Sequence, residues 1–168
     1  MKTRLLGALV GLALSFALST FAQQRDSVDP QTLEQLKAFG KKWKEAYENN
    51  DAAAVAALFT EDAVLVINTG PIYGREAIEK FYADLFQKWR VSNLISHWDQ
   101  YCPHFIGTAG DQLWSNGEAY LTFQGQSGEP VRLKNYWSSI TVREGDVWKD
   151  RMLTTFLSPP PAAPAETK

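Results

Sequence analysis

Apolar and polar residues alternate along this chain in two different rhythms, one in each half. After Asp29-Pro30, which reads as an N-cap followed by Pro at the first helical position, Leu33, Leu36, Gly40, Trp43 and Tyr47 recur at helical spacing. The spacing predicts an amphipathic helix from Pro30 to about Glu48. Asn49-Asn50-Asp51 closes it and caps a short Ala-rich helix over Ala52 to Phe59. The continuous β-favouring run Ala63 to Ile67 predicts a first strand, and Asn68-Thr69-Gly70-Pro71 a turn. Ile78, Phe81, Tyr82, Leu85, Phe86 and Trp89 then mark a third helix from about Arg75 to Trp89.

From there the period becomes that of strands. Ile95 to Ile106, Gln112 to Gln124, Val131 to Arg143 and Val147 to Leu157 are separated by short links, Thr108 to Asp111, Gly125 to Pro130 and Glu144 to Asp146. Such links suit an antiparallel meander. Helices first and strands later describe an α+β domain, with three N-terminal helices laid on one face of a curved, mostly antiparallel sheet.

The two ends do not belong to this pattern. Met1 to Arg4 is a short positive segment, and Leu5 to Leu18 is apolar except for Gly7, Gly11 and Ser15. Small residues at Thr20 and Ala22 precede the polar Gln23-Gln24-Arg25-Asp26, the layout of a cleavable signal peptide over residues 1–22, with Ser19 the second choice of cleavage site. A membrane span needs about 20 apolar residues, more than this run supplies. No Cys follows to carry a lipid. The protein is therefore expected to be exported, periplasmic or secreted, with no membrane attachment after cleavage. Residues 23–29 read as a linker and 158–168, beginning Ser158-Pro159-Pro160-Pro161, as a disordered tail with nothing to bury.

Loss of Lys2 and Arg4 takes the formal net charge from −2 to −4. Nothing in that balance attracts phosphate backbones, so no nucleic-acid partner is expected. The densest basic cluster, Lys41-Lys42-Trp43-Lys44, reads as a solvated helix face. Cys102 is the only cysteine, which rules out an intrachain disulfide, and it reads as a small core residue. No P-loop, G-x-G-x-x-G or G-x-S-x-G occurs, and no cofactor is expected.

Several stretches carry a family likeness: Trp43 to Asp51, Ala57 to Ala63, Gly74-Arg75-Glu76-Ala77-Ile78 and Glu144 to Lys149. Together they resemble the SnoaL-like, DUF4440-type branch of the NTF2-like superfamily, over about Gln31 to Leu157. The resemblance implies a cone-shaped α+β fold enclosing a pocket, often dimeric through the outer face of the sheet. It does not settle function, because the superfamily includes ketosteroid isomerase, scytalone dehydratase, polyketide cyclases and non-enzymes. The isomerase pattern needs a Tyr and two Asp. By spacing those places fall on Trp43, Ile67 and Asn135, of which only Asn135 could still donate to an oxyanion.

On the last strand Trp148, Asp150, Met152, Thr154 and Phe156 share the more apolar face. Asp150 is thereby the candidate general base, with Asn135 as its electrophilic donor; the alternative is a structural Asp150 paired with Arg132, Arg151 or a backbone amide. On the strand from Gln112, the resemblance places Leu113, Ser115, Gly117, Ala119, Leu121 and Phe123 inside. The small members leave volume for a ligand or for Trp43, Trp89 and Trp137, and close packing favours the indoles. The opposite set, with Trp114 and Tyr120, would suit a partner sheet in a homodimer. His97 and His104 fall on opposite faces of one expected strand and form no metal site. His97 with Asp99, and Cys102 with His104, are spaced two apart, too far for routine pairing. The leading expectation is an exported domain binding a small apolar or aromatic molecule among Trp43, Tyr47, Asn135 and Trp137. An isomerase-, cyclase- or dehydratase-type enzyme and a dimerisation module with a filled cone are the alternatives.

Overall fold

A computed structural model describes residues 28–157 apart from 108, 126 and 127. The expected signal peptide and Pro-rich tail lie outside these residues. Asp29 caps α1 (Pro30–Asn49) by accepting from the Thr32 N–H at 2.9 Å. Asn50 ends it with a left-handed φ of 53°, and its amide both accepts from the Val91 N–H and donates to the Val91 carbonyl, each at 2.8 Å. One residue thus closes the helix and ties its end to a strand forty-one positions on. Asp51 caps α2 (Ala52–Ala57) in the same manner as Asp29 caps α1.

The strands are β1 (Phe59–Ile67), β2 (Gly70–Tyr73), β3 (Arg90–Trp98), β4 (His104–Phe105), β5 (Gln112–Gln124), β6 (Val131–Glu144) and β7 (Val147–Leu157), with α3 (Arg75–Lys88) between β2 and β3. Among the described residues they form a seven-stranded sheet in the order β2-β1-β7-β6-β5-β3, with β4 also on β5. Every pairing is antiparallel except β1 with β7. The helices cover the concave face of this curved sheet, as the α+β expectation had it.

Three elements differ from the pattern read along the chain. β1 opens at Phe59, which was expected to close α2, four residues ahead of the expected start at Ala63. Gly70-Pro71, expected in a turn, opens the short edge strand β2; Pro is tolerated at an edge, where a missing N–H breaks no interior ladder. The strand expected over 95–106 is two: β3 begins at Arg90, and after Trp98 the chain turns before β4. His97 and His104 therefore sit on different strands. Asn93 has φ 54°, and the β3–β5 register shifts between Ser92 and Ile95, so the apolar alternation is broken at its start.

The main core lies where α2 and α3 meet β1. Val55, Phe59, Leu65, Ile78 and Tyr82 are essentially fully buried there. Tyr82 packs against Tyr47, Phe81 and Phe86 with centroids 5.2–5.8 Å apart, largely edge to face. A second cluster, Leu36, Leu113 and Trp148, closes the other end. Here Gln35 accepts from both the Trp148 indole (3.0 Å) and Arg143 (2.9 Å), holding the start of α1 on β6 and β7.

Candidate functional site

Between these two packed ends α1 reaches the sheet through Trp43, which hydrogen-bonds Asp150, and Tyr47, which packs against the cluster of Val91, Leu94, Ala119 and Leu121, and beside them a cavity of about 730 Å³ remains. Its walls follow from side-chain size. The inward positions of β5 are Leu113, Ser115, Gly117, Ala119 and Leu121, from the set that the resemblance placed inside, and those of β6 include Asn135, Trp137, Ser139 and Thr141. Most are too short to reach α1. Trp137 does cover Gly117, where an added Cβ would lie 2.9 Å from its ring, but Ser115 and Ala119 remain open to the cavity. The interior filled by indoles is thus corrected: Trp43 and Trp137 form walls, while Trp89 is 43% exposed on the outside, lying over Gly125.

The last strand departs from a single alternation at the point that matters most. Thr141 pairs with Asp150 but Ile140 pairs with Met152, so Arg151 is an extra residue, a β-bulge. Before it, Trp148 and Asp150 point inward. After it, the parity reverses: Leu153 and Thr155 line the cavity, while Met152 and Phe156 are exposed. Met152, Thr154 and Phe156 accordingly do not share the inner face with Asp150.

Asp150 is 3% exposed, and its backbone N–H donates to the Leu58 carbonyl at 2.9 Å across the parallel β1–β7 pair. Among the described residues no arginine pairs with it: Arg151 turns outward to Asp62 at 2.7 Å, and Arg132 lies over the Tyr120 ring. Burial pushes its carboxyl up from 3.8 to about 7, and hydrogen bonds from Thr141, Trp43 and Ser139 offset this only in part. The Thr141 hydroxyl donates to Asp150 Oδ1 at 2.8 Å. Behind it Ser139 lies 3.4 Å from Thr141 and Ser115 lies 3.2 Å from Ser139, a run of three hydroxyls on β6 and β5. A carboxyl that changes charge near neutrality in an apolar wall can both take and give a proton.

Trp43, Tyr47, Asn135 and Trp137, which the sequence put together as ligand contacts, all line this cavity with Asp150. Tyr47 donates to the Tyr82 hydroxyl at 3.0 Å, and burial raises its own hydroxyl to about 12. Asn135 donates to Thr155 at 2.5 Å, and among the described residues its buried Oδ1 has no partner, nor has Trp137 Nε1. Interiors rarely leave such atoms unpaired. His97 reaches the cavity, whereas Asp99 turns to the Tyr101 N–H (3.1 Å) and His104 stacks on Trp114 outside. Cys102 is half-buried and not a core residue; its Sγ lies 2.9 Å from Asn116 Oδ1, and burial raises its thiol. The residues that sequence reasoning missed are Ser139 and Thr141, whose β6 alternation carried the signal, and the lysines described below.

The SnoaL-like domain profile matches residues 41–149, more than half of the chain. The protein belongs to the SnoaL-like domain family. Solved structures agree on the fold of this SnoaL-like domain. A ketosteroid isomerase-like protein from Erwinia carotovora atroseptica SCRI1043 aligns with a TM-score of 0.65 at 16% identity, covering 79% of this chain and 100% of its own. A protein assigned to the scytalone dehydratases, from Novosphingobium aromaticivorans DSM 12444, gives 0.66 at 14% identity over 77% and 85%. A type 2 hexachlorocyclohexane dehydrochlorinase gives 0.61 at 13% over 78% and 95%. No protein of curated description matches the sequence.

Proposed function

We propose that this exported SnoaL-like domain binds a small, mostly apolar or aromatic molecule in the cavity between α1 and strands β5 to β7. The observation that carries the reading is the cavity itself: about 730 Å³ of space beside Trp43, Tyr47, Leu121 and Trp137, within the range that takes drug-sized ligands. A domain whose role was only to associate would gain stability by filling that space. Native mass spectrometry of the protein recovered from its own compartment tests this. A bound mass that is lost on Ala119→Trp supports it, and the same bound mass on the filled variant sinks it. Export itself predicts a mature chain beginning at Gln23, which N-terminal sequencing of that material checks.

A second reading, an enzyme of the isomerase, cyclase or dehydratase kind, is favoured by one observation, the buried Asp150 carboxyl with its pKa about 7. Asp150 would move a proton on the bound molecule; Asn135, expected as its donor, stands six residues along β6 from Thr141, the register partner of Asp150, roughly 20 Å away, and does not share its site. Asp150→Asn should then abolish any turnover found, with ligand affinity kept. Unchanged turnover removes Asp150 as the base. Association is supported by the convex face, where Trp114, Tyr136, Met152 and Phe156 stand exposed on neighbouring strands. A homodimer through that face predicts about twice the monomer mass in sedimentation, reduced to one by Tyr136→Glu.

A further inference from the structure

The cavity has a charged rim, and its sign is opposite to that of the chain. Along α1 the deep row is Leu36, Phe39, Trp43 and Tyr47, and beside it Lys37, Lys41 and Lys44 also line the cavity. These three lysines lie at i, i+4 and i+7, so one helical stripe carries them all. Their partners Glu34, Glu45 and Glu48, at 2.6, 3.5 and 3.7 Å, do not line it. The helix therefore turns its cations to the opening and its anions away from it. Exposed pairs at this spacing are worth only a few tenths of a kcal/mol, so they do not withhold the ammonium groups from a better partner.

Across the opening stand Ser96, His97, Trp98 and Pro103, none of them acidic. Among the described residues the sole carboxyl in the cavity wall is Asp150, which is buried and held toward its neutral form. Gly40 lies within the lysine stripe and also lines the cavity, yet an added Cβ there would meet nothing within 4 Å. Glycine weakens a helix interior, and no packing demands it at this position. It leaves a notch in α1 between Lys37, Lys41 and Lys44.

Building on the binding reading, we propose that the ligand is an amphipathic carboxylate. Its apolar body occupies the cavity and its carboxylate stays at the notch among Lys37, Lys41 and Lys44. The apolar walls and Asp150 make the interior costly for a charge, so the head group remains where water and the ammonium groups both reach it. A cationic ligand of the same shape meets three like charges on entry.

Calorimetry with probes sharing one body tests this: 2-naphthylacetate, 2-naphthylethanol and 2-naphthylethylammonium, repeated with dodecanoate and dodecanol. The carboxylate is expected to bind about tenfold tighter than its alcohol, with the ammonium weakest, and added salt should shrink the difference. In Lys37→Gln/Lys41→Gln/Lys44→Gln the carboxylate-to-alcohol ratio should fall to near one, with circular dichroism verifying that α1 is retained. A ratio near one in the unaltered protein, or a preference that survives the triple substitution, overturns the carboxylate assignment and leaves the binding reading standing. If neither the alcohols nor the acids bind, the binding reading fails as well.

Discussion

The same sheet face is solid at one end and hollow in the middle, under the same layer of helices. Where α2 and α3 cover β1, the inward residues are Phe59 and Leu65, and they meet Val55, Ile78 and Tyr82 with no space left. Where α1 covers β5 and β6, the inward residues include the small Ser115, Gly117, Ala119, Ser139 and Thr141 among larger ones, and about 730 Å³ stays open. Both regions lie under helices, and although β1 pairs in parallel with β7 while β5 and β6 pair antiparallel, what empties the second region is the small volume of its inner side chains. Open volume forfeits dispersion contacts that the packed half keeps, so the hollow costs stability that a ligand can restore.

The sharpest break of that comparison uses one chemical change in both regions. Leu65→Ala removes three carbons from a close-packed surround and should cost about 5 kcal/mol, whereas Leu121→Ala, on the cavity wall, should cost about 3 kcal/mol. Urea denaturation measures both. Equal losses would mean that the middle of the domain is packed as tightly as its end.

Next in size is Asp150→Asn. The native carboxyl is raised from 3.8 to about 7, so its neutral form is the one the fold favours. That contribution is fully present below pH 3.8 and is lost as pH rises through about 7, where the native state must ionise a buried group. The gap corresponds to about 4 kcal/mol. Asn keeps the shape without the charge, so the variant should match the unaltered protein at pH 4 and exceed it by up to that amount at pH 8. A pH-independent difference between the two would show that Asp150 is not desolvated by the wall.

Much of this was legible in the chain, for reasons that particular residues make plain. Asp29-Pro30, Asn50-Asp51 and Gly74-Arg75 punctuate helices through local hydrogen bonds and φ angles, so α1, α2 and α3 were readable from a few residues each. The unbroken alternation of β5 divided it into two faces, and the family resemblance told which of them is the inner one. Asp150 could be placed inward because only three residues separate it from the β6–β7 turn. Beyond it, the bulge at Arg151 reverses the alternation, and a bulge answers to the partner strand, not to the run that contains it. The division of 95–106 into β3 and β4, and the openness of the cavity, are likewise tertiary properties. Whether Trp89 fills the interior depends on where α3 ends relative to Gly125.

A smaller effect sharpens the boundary between hollow and solid. At Gly117 an added Cβ would lie 2.0 Å from the His97 carbonyl oxygen and 2.9 Å from the Trp137 ring, so backbone and indole would both have to move. Gly117→Ala should cost about 2–3 kcal/mol and alter the near-ultraviolet signal of Trp137. A silent substitution would mean that β3 and β5 separate there without cost.

Gly40→Ala should have the smallest effect and the opposite sign. The added methyl meets no neighbour, and an alanine in place of a mid-helix glycine is worth about 1 kcal/mol, so the melting temperature should rise. The packed half offers no such free gain. If Gly40 is held open for passage between the lysines, Gly40→Ala should leave 2-naphthylacetate affinity nearly intact while Gly40→Phe, with equal or better stability than glycine, slows its association in stopped-flow fluorescence. Unslowed association into Gly40→Phe would place the entrance elsewhere, and the glycine in α1 would then be a cost without a return.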